Sequence, residues 1–359
     1  MDATFAPEVP PTATTFKDRS GGLLACGIVE IALGGLALLF IPFILLGAVL
    51  SRKTTGTAMP AGSYVQSIAM YAFSAAVFVT LGIGSIRARR WARALNLVVS
   101  WIWLVLGVLS TILITAILPT GFKEGFKRAA SMNPNAPPPP EMLMAVILTF
   151  VIVLFAVFLI VVPLILVLFF RRADVEETCK RRDPVERWTD RIPLPLLALG
   201  LLFACTAPYS LILGLSVPLV PFFGRYLTGL PGAIGCFVLA CVDGILAFLV
   251  FRRQIIGWTL AVVWSAMRII STAITFRHGD LSQAYSRMGW RGAQLDTMGP
   301  GGFARSLVLG WTVVIMLIFF GYLLWTRRYF VAAQAPVTLP PESSPPPPDF
   351  SPHQGSATL

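Results

Sequence analysis

The sequence predicts an all-α polytopic membrane helix bundle, with about eight transmembrane helices arranged as two parallel four-helix repeats. Three observations predict it. The 359 residues are 56% hydrophobic and only 13% charged, with a mean hydropathy of +0.77, far more apolar than a soluble domain. Several apolar runs reach about 20 residues, enough to cross a hydrocarbon core of about 30 Å as a helix. The basic residues stand in pairs at the ends of those runs, as in Arg89-Arg90, Arg171-Arg172, Arg252-Arg253 and Arg327-Arg328. Such pairs anchor and orient spans, whereas a nucleic-acid groove would gather them on one face, so the net charge of +11 is not read as a phosphate-binding surface.

The elements follow in order. Residues 1–20 are Pro/Thr-rich and read as a disordered N-terminal tail; they lack the basic start and apolar core of a signal peptide. The first four-helix repeat covers 21–170. Its spans are expected at 21–50, 63–86, 92–118 and 142–170, with the basic turn RARRWAR between the second and third and a polar loop over 119–141. Residues 171–193 form a charged joint with seven basic and six acidic residues. The second repeat covers 194–326, with spans at 194–223, 233–251, 255–276 and 303–325. Residues 327–359 begin with an arginine pair and end in a Pro-rich tail, read as disordered.

Counting Lys and Arg outside the spans gives 17 on the side of the joint and both termini against ten on the other. The positive-inside rule then predicts both termini and the joint to be cytoplasmic. In the joint, Asp190 is expected to cap the next helix, Pro193 to sit in its first turn and Trp188 to lie at headgroup level. The remaining charges read as a solvated segment with local ion pairs. Outer-loop aromatics among basic residues (Phe122, Phe126, Tyr285 and Trp290) suggest short amphipathic surface helices.

The halves resemble each other. Placing Arg89-Arg90 on Arg252-Arg253 aligns Leu97 with Leu260 and Trp101 with Trp264, at a spacing of 163 residues. Near the start of each half, Leu23–Gly27 (LLACG) matches Leu196–Gly200 (LLALG). Four spans per half bring both halves in from the same side, which makes the repeats parallel.

Three charges lie inside spans: Glu30, Asp243 and Arg268. At 1.5 Å per residue Glu30 and Asp243 are ~14 Å and ~12 Å from the inner side. Each such charge costs roughly 2.5–3.5 kcal/mol at mid-bilayer, so it should face the bundle interior, a cavity or a partner charge. They are candidates for a polar pathway or for a buried charge pair, Asp243 with Arg268. A depth difference of about 9 Å requires Arg268 to stretch inward for that pairing. With the 163-residue alignment Asp243 falls on Thr80 and Arg268 on Val105. Pro42 and Pro218 stand at similar places in spans one and five and read as helix kinks or ends.

No metalloprotease, nucleophile-elbow, phosphate-loop or dinucleotide motif is present, and His278 and His353 are isolated. No catalytic residue, cofactor or metal is expected, and the chain is not read as an enzyme. The five cysteines fit no zinc or disulfide spacing, and Cys179 has no nearby histidine to activate it. The expected partners are the lipid bilayer and a membrane-protein partner or a second copy, with no nucleic acid. The first functional reading is a non-enzymatic scaffold or partner-binding component; the alternative is a small-solute or ion transporter with a polar site between the halves.

The segment TCKRRDPVERWTDRIPLP (178–195), taken with the four-plus-four plan, resembles uncharacterised bacterial multi-pass membrane proteins with a T-C…D-P…W-T-D-R-x-P-L-P joint. The resemblance implies a bacterial inner-membrane setting and brings no activity and no site residues.

Overall fold

The computed structural model of the chain describes residues 17–54, 61–132, 141–288 and 303–334. The tails over 1–16 and 335–359, and Trp290, lie outside the described residues, as do the side chains of Phe122 and Phe126. Eight candidate spans are long and apolar enough to cross a membrane, and the protein is an all-α polytopic bundle.

The first half contains α1 (Ser20–Thr54), α2 (Ala61–Ile86), α3 (Arg90–Met132), α4 (Glu141–Ala156) and α5 (Val162–Phe170), with a π-helical turn, Val157–Val161, between the last two. The π turn has a local cause. Pro163 has no N–H to give the Leu159 carbonyl four residues earlier. Gly107 of α3 faces that carbonyl so closely that a Cβ would overlap it. α3 runs on past Pro119 to Met132, through much of the stretch expected to be loop.

The joint is folded. It forms α6 (Ala173–Arg182) and α7 (Trp188–Arg191). The second half contains α8 (Leu194–Ser216), a hairpin of β1 (Val220–Phe222) and β2 (Arg225–Leu227), α9 (Gly229–Phe251), α10 (Ile255–His278), α11 (Leu281–Arg287), α12 (Phe303–Trp325) and α13 (Arg327–Gln334). Span five was expected to reach residue 223. It stops at Ser216 because Pro218 and Pro221 lack the N–H groups a helix needs. Pro218 therefore lies two residues beyond α8, while Pro42 lies inside α1, so the two prolines do not occupy matching places in helices. Phe223 and Gly224 both take positive φ, as a two-residue hairpin turn requires. The Phe223 and Gly224 amides donate to Ser271 Oγ and Thr275 Oγ1 of α10 at 3.0 Å each. Tyr285, expected on a short helix, is in α11, whose first turn is capped by Asp280 accepting from the Gln283 amide at 3.1 Å.

Each half buries its core at the joint-side end. In the first, Leu23, Leu97, Leu166, Val167 and Phe170 pack with Val175 and Cys179 of α6. In the second, Leu196, Leu199, Phe203, Leu246 and Val250 pack with Leu323 and with Phe330 of α13. The helix that follows the last span thus closes the core of its own half. Between the halves, α8 touches α2 and α3, and α12 touches α3. Gln66 Nε2 donates to Tyr209 Oη at 3.0 Å across that seam.

The turns between the second and third spans of each half have the same geometry. Ala88 and Arg253 carry the positive φ, at 48° and 54°. The amides of Arg87, Ala88 and Arg89 donate to Ile83, Ser85 and Gly84; those of Arg252, Arg253 and Gln254 donate to Phe248, Val250 and Leu249. Each of these correspondences spans 165 residues. The 163-residue alignment is therefore corrected by two: the arginine pairs occupy different steps of the turn, and Leu97/Leu260 and Trp101/Trp264 are not equivalent. A turn is fixed by backbone hydrogen bonds and by the one residue that must adopt positive φ, not by which of its positions carry arginine.

Candidate functional site

Glu30 sits where α1, α2 and α3 meet and is fully buried. Gly27, one turn earlier, lies against the Gly82 carbonyl of α2, and a Cβ at either glycine would collide with the other backbone. That close approach brings Ser85 within reach, and its hydroxyl donates to Glu30 Oε2 at 3.0 Å. Asn96 Nδ2 of α3 donates to Ser85 Oγ at 2.8 Å. Glu30 Oε1 has no hydrogen-bond partner, and no cation pairs with this carboxyl group among the described residues.

Asp243 of α9 is also fully buried. Its Oδ1 accepts from Trp264 Nε1 at 3.2 Å. Its Oδ2 lies 3.7 Å from Arg268 Nη1, an ion pair too long to be a hydrogen bond. Arg268 does stretch inward to reach it, so of the three span charges the structure joins Asp243 with Arg268 and leaves Glu30 in the other half. The Arg268 side chain remains 37% exposed, about 20 Å along α10 from its first residue. An apolar depression of about 180 Å³ lies beside it, between Ile245 of α9 and Val263 and Met267 of α10.

The 165-residue correspondence places Phe78 opposite Asp243 and Trp103 opposite Arg268. Phe78 and Trp103 are in edge-to-face contact at 5.5 Å. On the same basis Ser85 matches Val250 and Asn96 matches Ala261, while Gly27 and Gly200 align Glu30 with Phe203. Those three counterparts all lie in the second half's apolar core. Sequence reasoning found the charges and missed Ser85 and Asn96; an amide and a hydroxyl inside otherwise apolar runs were the available signal.

The joint forms a second constellation. Each of its six carboxylates has a basic partner. Asp174 meets Arg19 at 3.3 Å, Asp183 meets Arg89 at 3.2 Å, and Arg90 lies 3.7 Å from Glu186 and 3.5 Å from Asp190. Glu176 meets Arg93 at 2.8 Å and Lys180 at 2.7 Å, and Glu177 meets Arg181 at 3.1 Å. Arg93 Nε also donates to the Phe170 carbonyl at 3.2 Å, closing the end of span four. The expected solvated segment with local pairs is thus a docked one, since five of these seven pairs reach outside it. Those of the pairs that are exposed contribute about 0–1 kcal/mol each; the burial of Val175 and Cys179 adds an apolar anchor, about 1.5–3 kcal/mol for a valine. The spacing Val175, Thr178, Cys179 at i, i+3, i+4 was a legible sign of this face. Asp190 accepts from the Arg187 amide at 3.0 Å and so caps the start of α7; α8 starts after Pro193 without a side-chain cap.

Lys180, and then Arg93, hold the Glu176 carboxyl below its ordinary range. Burial pushes the Cys179 thiol up to about 11, which removes it from nucleophilic chemistry at neutral pH. No group of three or more His, Cys, Asp or Glu placed to hold a metal occurs among the described residues.

A groove of about 490 Å³ runs between the halves, bounded by α3, α8 and α12. Its walls are apolar, with Leu97, Trp101, Leu202 and Phe319 among them, and none of Glu30, Asp243 or Arg268 lines it. No protein-family model, curated protein or solved structure matches this chain.

Proposed function

We propose that this integral membrane protein is a non-enzymatic scaffold whose α9–α10 face binds a partner within the membrane. Arg268 carries the reading. Its guanidinium is 37% exposed near the middle of a span, where facing hydrocarbon costs roughly 2.5–3.5 kcal/mol. A partner helix with a polar group, seated against Ile245, Val263 and Met267, would cover it. The apolar walls of the groove between the halves also favour a scaffold over a transporter with a path between them. The docked joint gives the scaffold a fixed charged face; the Lys and Arg bias supports a cytoplasmic joint with both termini on that side, and the resemblance of the 178–195 segment supports a bacterial inner membrane. The matching turns support an origin of the two halves as copies of one four-span unit.

The test is photo-crosslinking in native membranes from Val263, with Phe150 of α4 as the control position. A single defined protein adduct, of a partner or of a second copy, is expected from Val263 alone. Adducts to lipid only, at both positions, would overturn the reading. The transporter remains as the second reading because Glu30 Oε1 is buried without a partner. It predicts an ion- or proton-linked flux in proteoliposomes that Glu30→Gln abolishes while the protein stays folded.

A further inference from the structure

The groove between the halves reaches the joint-side edge of the bundle. Leu194 and Pro195 at the start of α8, Leu97 near the start of α3, and Trp325 at the end of α12 all line it. These positions belong to the leaflet on the side of the joint. Two arginines stand at that edge. Arg328 is exposed and stacks over the Trp325 ring at 4.1 Å. Arg191 is exposed and lies three residues before Leu194. The nearest acids on α7 and the segment before it, Asp190 and Glu186, are already paired with Arg90. The edge is therefore positive where the groove is apolar.

We propose that this groove is a binding site for an anionic phospholipid of the joint-side leaflet. An acyl chain fills the space between α3, α8 and α12, and the headgroup phosphate meets Arg191 and Arg328. The chemistry explains both features. A volume of about 490 Å³ with apolar walls suits a hydrocarbon chain, and two guanidinium groups at headgroup level select a phosphate carrying net negative charge. Tyr322, whose hydroxyl donates to the Pro195 carbonyl at 2.7 Å, ties α12 to α8 across the groove and holds its width. A chain wedged there would brace the seam between the halves, which is otherwise crossed by few polar contacts.

The full chain is purified in mild detergent and studied by native mass spectrometry after incubation with phosphatidylglycerol or phosphatidylcholine of matched chains. Phosphatidylglycerol should be retained more tightly. Arg191→Gln and Arg328→Gln should each weaken it about fivefold without changing phosphatidylcholine retention. Leu202→Trp, which fills the groove, should remove both lipids. A well-folded Leu202→Trp variant that keeps phosphatidylglycerol, or equal retention of the two lipids by the wild type, would overturn the proposal. The arginine variants change only exposed residues, so they report even if Leu202→Trp does not fold.

Discussion

The two halves share the geometry of the turn between their second and third spans and surround it in opposite ways. In the first half the place where spans one, two and three converge, one residue before the end of α2, holds Glu30, Ser85 and Asn96. Its counterpart holds Phe203, Val250 and Ala261, buried at 3%, 0% and 0% exposure. Eight residues from the end of the second span the pattern inverts: Phe78 with Trp103 in the first half, Asp243 with Arg268 in the second. The joint-side closures differ in the same spirit. Arg93 reaches the Phe170 carbonyl and Glu176, whereas its counterpart Trp258 donates to the Leu323 carbonyl at 2.9 Å and lies under Arg327. Helix geometry therefore does not require a polar cluster at either depth. Each cluster is a departure from an apolar solution that the same chain contains elsewhere, and that is the physical ground for treating both as sites of interest.

The largest effect is expected from moving the carboxylate to the wrong half. Phe203→Glu places it against Val250 and Ala261 and should cost about 3–5 kcal/mol, read as lost monodisperse protein after heating in detergent. Adding Val250→Ser and Ala261→Asn should recover part of the loss. Wild-type stability for the single variant would break the proposed equivalence of Glu30 and Phe203.

Next comes the charge pair. Arg268→Met removes the cation beside Asp243, which keeps the Trp264 donor. The cost should be about 2–3 kcal/mol, below the range for a sealed pair because the guanidinium is partly exposed. The double change Asp243→Phe with Arg268→Trp copies the Phe78–Trp103 contact and should recover most of it; failure to recover would show that the two depths are shaped differently.

A smaller loss, about 1–3 kcal/mol, is expected when Ser85→Ala removes the donor to Glu30. Glu30→Leu combined with Ser85→Val and Asn96→Ala should instead match or exceed the wild type in the same heating assay, because both sides of the polar contact go together.

The smallest effect concerns the joint. Arg93→Gln should loosen α6 by about 1–2 kcal/mol and admit a membrane-impermeant maleimide to Cys179, which should stay unlabelled at pH 7.5 in the wild type. Because Glu176 titrates below its ordinary value near 4.5, its contribution is present at neutral pH and is lost on acidification below that value. Hydrogen exchange of the α6 amides should therefore rise in that range, and less so in Arg93→Gln.

Much of the architecture was legible because membrane spans are written in composition. The ends at Phe170, Phe251, Ile255 and Trp325 follow from arginines that cannot enter hydrocarbon. The fifth span was overextended because a run of apolar residues does not reveal that Pro218 and Pro221 will turn it into a hairpin. The joint was read as solvated because its charges were counted without partners; only the packing of spans one to three brings Arg19, Arg89, Arg90 and Arg93 alongside it. The candidate site was half legible. A charge in an apolar run announces itself, but its neighbours come from other helices, 55 residues away for Glu30 and Ser85 and 21 for Asp243 and Trp264.

By itself the sequence determined the class, the number of spans and the three charges inside spans, since hydropathy and the cost of burying charge act on each segment alone. Only the tertiary structure decided which turn residues correspond, which charges meet and which face of the joint is buried. Those depend on backbone hydrogen bonds and on glycine-permitted helix contacts between segments far apart in the chain, which no local pattern encodes.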